Sequence, residues 1–290
     1  DIREWVHGFA EGVVRPAAEE WDEREETPWP VIQEAAKIGL YSFEALGQFF
    51  ADETGLTLPI ANEELFWGDA GIGMAIMGTS LAVAAIFGQG TPEQMGEWIP
   101  QCFGTEDDPK VAAFCSSEPD AGSDVAAIKT SGVKQDDGSY EINGQKMWVT
   151  NGLRSGVVFV LVRTDKDAAK PQAGMTCFVC EKEPGAAESP GLTIPPQIKK
   201  LGYKGVESTE LVFDGYRCPA EMILGGEEAG LNKGFPQMMA AEQYVVDHHL
   251  AQVISQSFGS AEDAFGSPQS LENLRHAFIS AAQNGVTVLA

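Results

Sequence analysis

The periodicity of the sequence changes near Lys110, and this change restricts the possible folds more than any other feature. Before it, apolar residues such as Ile2, Val6 and Phe9 recur at near-helical spacing, which predicts helices over the first third of the chain. After it come short β-branched or aromatic runs separated by Gly, Asp and Pro, which predict strands. These runs cover residues 111–115, 140–142, 157–162, 175–179 and 210–213.

Helical signals return after Gly234, so the chain divides into three parts. We expect an α+β protein with an N-terminal all-α domain over residues 1–109, a middle β-barrel or β-sandwich domain over 110–225, and a partial C-terminal helical bundle over 226–290. The length of 290 residues fits two domains or one large one.

One segment, residues 70–92, carries no charge and is long enough to cross a bilayer. It is rich in glycine and contains Thr79, Ser80 and Gln89, and its Leu, Ile, Val and Phe are too sparse for a strong insertion signal. This composition favours a buried helix of a soluble protein over a membrane span.

The charge balance argues against two classes of partner. Asp and Glu number 43 and Lys and Arg number 19, which gives a formal net charge of −24. Sequence-independent nucleic-acid binding depends mainly on Lys and Arg, so we expect no nucleic-acid partner. The same balance argues against binding to an anionic membrane surface.

The five cysteines are irregularly spaced and odd in number, which is not typical of a disulfide framework. No secretory signal opens the sequence, and the first residue, Asp1, suggests a start inside a longer chain. We therefore expect reduced thiols and a cytoplasmic location, or the mitochondrial matrix if the source is eukaryotic. Cys177-x-x-Cys180 has redox or zinc spacing, but it has no second pair and no nearby histidine, so we interpret it as core packing and expect no metal site.

The most informative segment is 114–124, which reads Phe-Cys-Ser-Ser-Glu-Pro-Asp-Ala-Gly-Ser-Asp. It begins as a strand and breaks into a loop at Pro119, and Gly122 would let the backbone approach a ligand closely. Three hydroxyl groups within eight residues could donate hydrogen bonds to carbonyl or phosphate oxygens; they belong to Ser116, Ser117 and Ser123. Alone, such a loop is more often only a turn.

A second segment, 143–152, reads Asn-Gly-Gln-Lys-Met-Trp-Val-Thr-Asn-Gly. Asn143-Gly144 predicts a hairpin turn. The strand that follows would present Trp148 and Thr150 on one face, where an indole and a hydroxyl suit a flat heteroaromatic cofactor. Alone, a core tryptophan with a satisfied indole is the more ordinary interpretation.

A third segment, 200–214, reads Lys-Leu-Gly-Tyr-Lys-Gly-Val-Glu-Ser-Thr-Glu-Leu-Val-Phe-Asp, and alone it indicates a loop followed by a strand. Together and in this order, the three segments closely resemble the acyl-CoA dehydrogenase family, whose patterns are TEP.AGSD, INGQKMWITNG and KLG…S…L.FD…VP…LG…G.GF. The resemblance covers about residues 1–235. Three ordered motifs are a strong signal where any one would be weak.

This resemblance implies an FAD flavoenzyme of lipid or fatty acid metabolism (β-oxidation) that oxidises an acyl-CoA thioester to the 2,3-enoyl-CoA. It also implies an electron-transfer flavoprotein or similar electron acceptor, and a homo- or hetero-oligomer, dimer or tetramer. Residue by residue, it implies three groups of FAD-contacting positions. They are Phe114, Ser116 and Ser117 on the strand, Ser123 near the flavin pyrophosphate and the substrate's pantetheine arm, and Trp148, Val149 and Thr150 against the isoalloxazine.

The family's catalytic base has no counterpart that we can assign. The resemblance implies a glutamate close to the family's C-terminus or, in a minority, on the helix after Gly-Phe, where this sequence has His249. Glu242 is nearby, but an exposed helix glutamate is the better interpretation. The family's Arg-x-x-Phe-Gly segment is also missing, and Phe265-Gly266 comes too soon to match it. We therefore expect a truncated chain or one half of a two-chain enzyme.

Two alternatives keep the same fold. A non-catalytic subunit of a heteromeric acyl-CoA dehydrogenase complex would explain the missing base. A flavin-dependent oxidase or monooxygenase would use the same pocket for oxygen chemistry. The match of Ser123 and of Trp148-Val149-Thr150 to the CoA-using members makes the second of these the weaker alternative.

Overall fold

The helices of the first third follow the apolar spacing of the sequence. Their buried stripes, which include Val6, Ile32 and Leu65, meet in one core. In chain order the helices are Ile2–Phe9 (α1), Arg15–Arg24 (α2), Trp29–Lys37 (α3), Phe43–Ala51 (α4), Thr57–Gly68 (α5), Ala70–Met77 (α6), Thr79–Gln89 (α7) and Pro92–Phe103 (α8), with a π-helical stretch over Ala10–Val14.

The uncharged segment forms α6 and α7, which continue each other through Gly78. By length and composition Ala70–Gln89 could cross a membrane, but 56% of its most apolar stretch is buried inside the fold. Ile72, Val83 and Ile86 are fully buried in the core shared with the other helices. The segment thus packs as a core helix pair, in agreement with the interpretation of its composition.

A mixed eight-stranded sheet follows the helices. Its strands are Ala112–Cys115 (β1), Ser131–Lys134 (β2), Tyr140–Thr150 (β3), Val157–Arg163 (β4), Met175–Glu181 (β5), Glu188–Ser189 (β6), Leu192–Thr193 (β7) and Ser208–Cys218 (β8). The strand order is β1-β4-β2-β3-β8-β7-β6, with β5 paired to β4. The α+β class and the helical-then-sheet order predicted from the sequence are confirmed.

Strand β4 is buried on both faces, which is why it reads as a continuous apolar run. Phe159 and Leu161 join the core that the helices share. Val158 and Val160, which alternate with them, join a second core inside the sheet domain. The helices and the sheet are therefore held together by one face of this strand.

The prediction of a hairpin turn at Asn143-Gly144 is wrong, because both residues lie inside β3. The turn between β2 and β3 instead uses Gly138, whose φ is 86°. Glycine is required at position 144 for space, because a Cβ atom there would lie 2.6 Å from Cα of Thr130. Asn143 accepts a hydrogen bond on Oδ1 from the backbone N–H of Gly215 at 2.8 Å, where β3 and β8 shift register.

The computed structural model describes residues 2–122, 124–168 and 174–225, and the backbone of 253–255 and 287–289. The last two stretches form short parallel strands, Val253–Ser255 (β9) and Thr287–Leu289 (β10). Apart from these strands, the helical bundle expected over 226–290 lies outside the described residues.

Candidate functional site

The first motif segment lies at the carboxyl end of β1, where the chain turns sharply. The last residue of β1, Cys115, is buried in the sheet. The backbones of Glu118 and Ala121 exchange two hydrogen bonds, of 2.8 and 3.2 Å, and so close a tight turn. Ser116 and Ser117 lie between the strand and this turn, and both are half-buried.

The second motif segment ends β3 with a β-bulge at Trp148. From Lys146 to Val149 the chain takes three steps along β3 but only two along its partner β8. Trp148 has a left-handed backbone with φ of 63°, a conformation that costs an L-residue roughly 1–2 kcal/mol. The bulge interrupts the regular alternation expected for Trp148 and Thr150 and leaves the indole side chain 57% exposed. Strained backbone of this kind is common at ligand sites.

Two hydrogen bonds join these segments. The backbone N–H of Met147 donates to the carbonyl oxygen of Ser117 at 2.9 Å. The ammonium group of Lys146 donates to the carbonyl oxygen of Ser116 at 3.1 Å. The two serines at the end of β1 therefore lie beside the bulge that carries Trp148.

A buried ion pair lies at this junction, and none of the three motifs predicted it. Nζ of Lys146, which is fully buried, lies 2.8 Å from Oε1 of the buried Glu118. The Glu118 carboxylate also accepts hydrogen bonds from the backbone N–H groups of Lys129 at 2.7 Å and Thr130 at 3.0 Å. The available signal was strand alternation, because Lys146 keeps the parity of the buried Ile142 on β3.

The two charges of the pair support each other. Burial lowers the pKa of the Lys146 ammonium, and the hydrogen bond and charge of Glu118 oppose this. Burial acts to raise the pKa of Glu118, but the hydrogen bond and charge of Lys146, with the backbone donors, outweigh it and hold that pKa below its ordinary value. Glu118 is therefore ionised at neutral pH and faces the ammonium as a carboxylate.

The helical domain contributes a third wall to the junction. The α6–α7 connection at Gly78 lies against Thr150 and Asn151, and a Cβ atom at Gly78 would be 2.9 Å from Cγ2 of Thr150. Asn151 is fully buried with φ of 63°, and its Nδ2 donates to the carbonyl oxygen of Ala112 at 3.5 Å. Its Oδ1 has no hydrogen-bond partner among the described residues.

The groups gathered at the junction fit a flavin. Among the described residues, no hydrogen bond uses the hydroxyls of Ser116, Ser117 and Thr150, although all three residues are half-buried. Hydroxyls of this kind can serve the carbonyl and nitrogen atoms of a heterocyclic ring. The exposed indole of Trp148 offers a flat face for stacking beside them.

Three further residues were predicted to contact the cofactor. Phe114 is half-buried and packs against the helical core. The side chain of Val149 is buried in the second core, so it supports β3 from inside. Ser123, named for both cofactor and substrate, lies outside the described residues, as do Gly234-Phe235, Glu242, His249 and Phe265-Gly266.

The third motif segment supports the loop that follows β3. Oε1 of the buried Glu207 accepts hydrogen bonds from the backbone N–H groups of Leu153 at 3.0 Å and Arg154 at 2.8 Å. Burial raises the pKa of Glu207. Lys200 donates to Oγ of Ser208 at 3.2 Å and thereby ties the segment to β8. This motif therefore acts on the site indirectly, through backbone placement.

The described cysteines are all free and buried. Cys177 and Cys180 lie in β5, and burial raises the pKa of both thiols. No group of three or more His, Cys, Asp or Glu residues suited to a metal occurs within the described part of the chain. The Cys-x-x-Cys spacing therefore belongs to a packed strand.

Two family models of known proteins match this chain. The family model of the acyl-CoA dehydrogenase N-terminal domain matches residues 1–106, and the family model of the acyl-CoA dehydrogenase middle domain matches residues 113–216. The helical domain and the sheet domain together therefore form an acyl-CoA dehydrogenase scaffold.

Similar sequences include (2S)-methylsuccinyl-CoA dehydrogenase of Cereibacter sphaeroides, which is 33% identical over 246 residues, or 82% of this chain and 43% of the relative. The butyryl-CoA dehydrogenase structure from Megasphaera elsdenii aligns with a TM-score of 0.66 and 28% identity over 98% of this chain and 76% of that one. A chain in the structure of the electron transferring flavoprotein of Acidaminococcus fermentans aligns with a TM-score of 0.68 and 28% identity. This alignment covers 86% of the present chain and 63% of that chain.

The chain belongs to the acyl-CoA dehydrogenase family. It spans about half the length of the curated relatives it matches, 43% of one and 53% of another.

Proposed function

We propose that this protein binds FAD at the junction of β1 and β3 and takes part in the α,β-dehydrogenation of an acyl-CoA thioester to the 2,3-enoyl-CoA. The observation that carries the proposal is the hydrogen bond from Met147 N–H to the Ser117 carbonyl oxygen. It supports the proposal because it pairs the backbone of Ser117 with that of Met147, the residue directly before Trp148. Family membership supplies the reaction class.

In this proposal the chain's own residues hold and orient the cofactor. The Trp148 indole stacks on the flat ring, and the hydroxyls of Ser116, Ser117 and Thr150 supply hydrogen bonds. The buried side chain of Val149, between Trp148 and Thr150 in β3, helps to keep water out of this wall. FAD, when bound, supplies the hydride acceptor.

Removal of the α-proton needs a carboxylate, and the two buried carboxylates near the junction both have other partners. Glu118 is committed to Lys146 and two backbone N–H groups. Glu207 is committed to the loop after β3. We therefore place the base outside the described residues or on a partner chain.

The partners and location follow as further proposals. The substrate is an acyl-CoA of a lipid or fatty acid pathway, and the likeness to a chain from the electron transferring flavoprotein structure supports an electron acceptor of that kind. We also propose an oligomeric protein with domains over residues 1–109, 110–225 and 226–290. The free cysteines support a reducing compartment, the cytoplasm or mitochondrial matrix. No contact described above favours the non-catalytic subunit or the oxidase.

The test is anaerobic titration of the purified full-length protein. We expect a yellow protein whose visible flavin absorbance bleaches on addition of butyryl-, isobutyryl-, octanoyl- or methylsuccinyl-CoA, with the matching enoyl-CoA detected by mass spectrometry. Bleaching by one thioester and not the others would define the acyl group. A protein that binds no FAD at saturating concentration would refute the proposal. Flavin binding with oxygen consumption and no response to any acyl-CoA would favour the oxidase.

A further inference from the structure

We propose that the buried Lys146–Glu118 pair is the positioning element of the flavin site, and that it fixes Ser116 and Ser117 against the bulge at Trp148. This inference rests on the proposed FAD function. Lys146 and Glu118 touch neither substrate nor cofactor in this proposal. They act through the backbone on either side of them.

The pair ties together three separate pieces of chain. Lys146 donates to the side chain of Glu118 and to the carbonyl oxygen of Ser116. Glu118 in turn accepts from the backbone N–H groups of Lys129 and Thr130. The ammonium and the carboxylate thus hold the end of β1, the start of β2 and the end of β3 in one arrangement.

Stability alone does not explain such a pair. Both side chains are at least nine-tenths buried, and taking two charges out of water offsets most of their attraction. Apolar side chains of similar volume are often as stable in such positions. What an apolar pair could not supply is a directional bond to the Ser116 carbonyl and to two backbone N–H groups.

The arrangement also explains why the pair bears on the flavin. Ser117 directly precedes Glu118, and Trp148 lies two residues after Lys146. Between them, the hydrogen bond from Met147 N–H to Ser117 O is 2.9 Å long. Any slip at the pair therefore moves the hydroxyls and the indole relative to each other.

The first test uses the apo protein, so that it does not depend on flavin binding. In full-length Lys146→Met, we expect backbone amides over 116–121 and 146–149 to exchange hydrogen about tenfold faster than in wild type. Amides of β4 and β5 should stay protected. Because Lys146→Met leaves a buried carboxylate unpaired, the double variant Lys146→Met/Glu118→Gln, which buries no charge, is measured as well. Wild-type exchange over both segments in both variants would overturn the proposal.

The second test asks whether the site responds beyond the loss of stability. Phe178→Leu, at a fully buried position of β5 in the same sheet domain, serves as the control for a loss of core packing alone. We expect FAD affinity to fall about tenfold in the Lys146 variants, and the visible circular dichroism of bound flavin to change. The control should keep both.

Equal loss of FAD affinity in Phe178→Leu would reduce the pair to a structural role and overturn the proposal. So would unchanged FAD affinity in the Lys146 variants. If wild-type protein binds no FAD, the proposed function fails, while the exchange rates of the apo variants still decide whether the pair positions the two segments.

Discussion

Gly78 and Thr150 approach each other so closely that a Cβ atom at position 78 would lie 2.9 Å from Cγ2 of Thr150 and 2.8 Å from the carbonyl oxygen of Met74. Gly78 has helical backbone angles, so its role is space and not conformation. The helical domain therefore reaches the last residue of β3 through a position that has no room for a side chain.

Gly78→Ala should lower the free energy of unfolding by about 1–3 kcal/mol, because the added methyl group forces the helix junction away from Thr150. FAD affinity should fall with it. Urea titration followed by circular dichroism measures the first effect, and flavin fluorescence measures the second.

The matched control for that variant is Gly96→Ala in α8, where no atom lies within 4 Å of the added Cβ. Helix propensity alone should make this substitution stabilising by about 0.5–1 kcal/mol. If Gly78→Ala stabilised the protein by the same amount, the close approach of Gly78 to Thr150 would contribute nothing to the free energy of unfolding.

Trp148→Ala should weaken FAD binding by roughly 1 kcal/mol, because the exposed indole is lost as a stacking surface. Trp148→Gly should weaken it equally while being more stable than Trp148→Ala by up to about 1 kcal/mol, since glycine accepts a left-handed backbone without strain. Leu201→Ala, at a fully exposed position, is the control. Wild-type affinity in both Trp148 variants would remove the indole from the site.

Lys182 gives a prediction on pH. Burial lowers its pKa to about 8 from 10.5, and its Nζ donates to the Leu153 carbonyl oxygen at 2.7 Å. Between about pH 8 and 10.5 the unfolded chain binds more protons than the folded one, so the free energy of unfolding should rise with pH across this window. Partial exposure limits the gain to about 1 kcal/mol.

The contribution of Lys182 is isolated by the difference between wild type and Lys182→Met, followed by urea titration at several pH values. This difference should depend on pH within the window. A difference that stays constant from neutral pH upward would mean that Lys182 titrates normally in the folded protein.

Glu207→Ala should cost about 1–3 kcal/mol of stability, because two backbone N–H groups lose their acceptor. Glu207→Gln keeps an acceptor oxygen and should cost clearly less at neutral pH. The raised pKa of Glu207 also means that its carboxylate form destabilises the fold as pH rises through that pKa, and Glu207→Gln removes this dependence. Thermal unfolding of the three proteins across acidic to neutral pH separates these effects, and equal losses in Ala and Gln variants would contradict the acceptor role.

Much of the fold was predictable because local signals and burial agree. Thr91-Pro92 opens α8 with a capping box, and Gly39, with φ of 81°, follows the end of α3. β4 reads as apolar because both of its faces are buried. The hairpin prediction at Asn143-Gly144 was wrong because these residues serve contacts between distant parts of the chain. They lie where β3 and β8 shift register, and Gly144 leaves space for Thr130.

The candidate site was predictable as motifs but not as an arrangement. The motifs predicted Ser117 and Trp148 as candidate site residues. The arrangement of their backbones depends on a bulge with a left-handed tryptophan, which no propensity favours. The Lys146–Glu118 pair was hidden because a lysine and a glutamate 28 residues apart read as surface charges. Only the packing of β1 against β3 shows that both are enclosed.

The double role of β4 has a mechanical consequence. This strand supplies side chains to both hydrophobic cores. The helical and sheet domains therefore cannot rotate apart without exposing the buried apolar side chains of β4 to water. Any ligand bound near the Trp148 bulge would therefore find the helical and sheet domains already joined through β4.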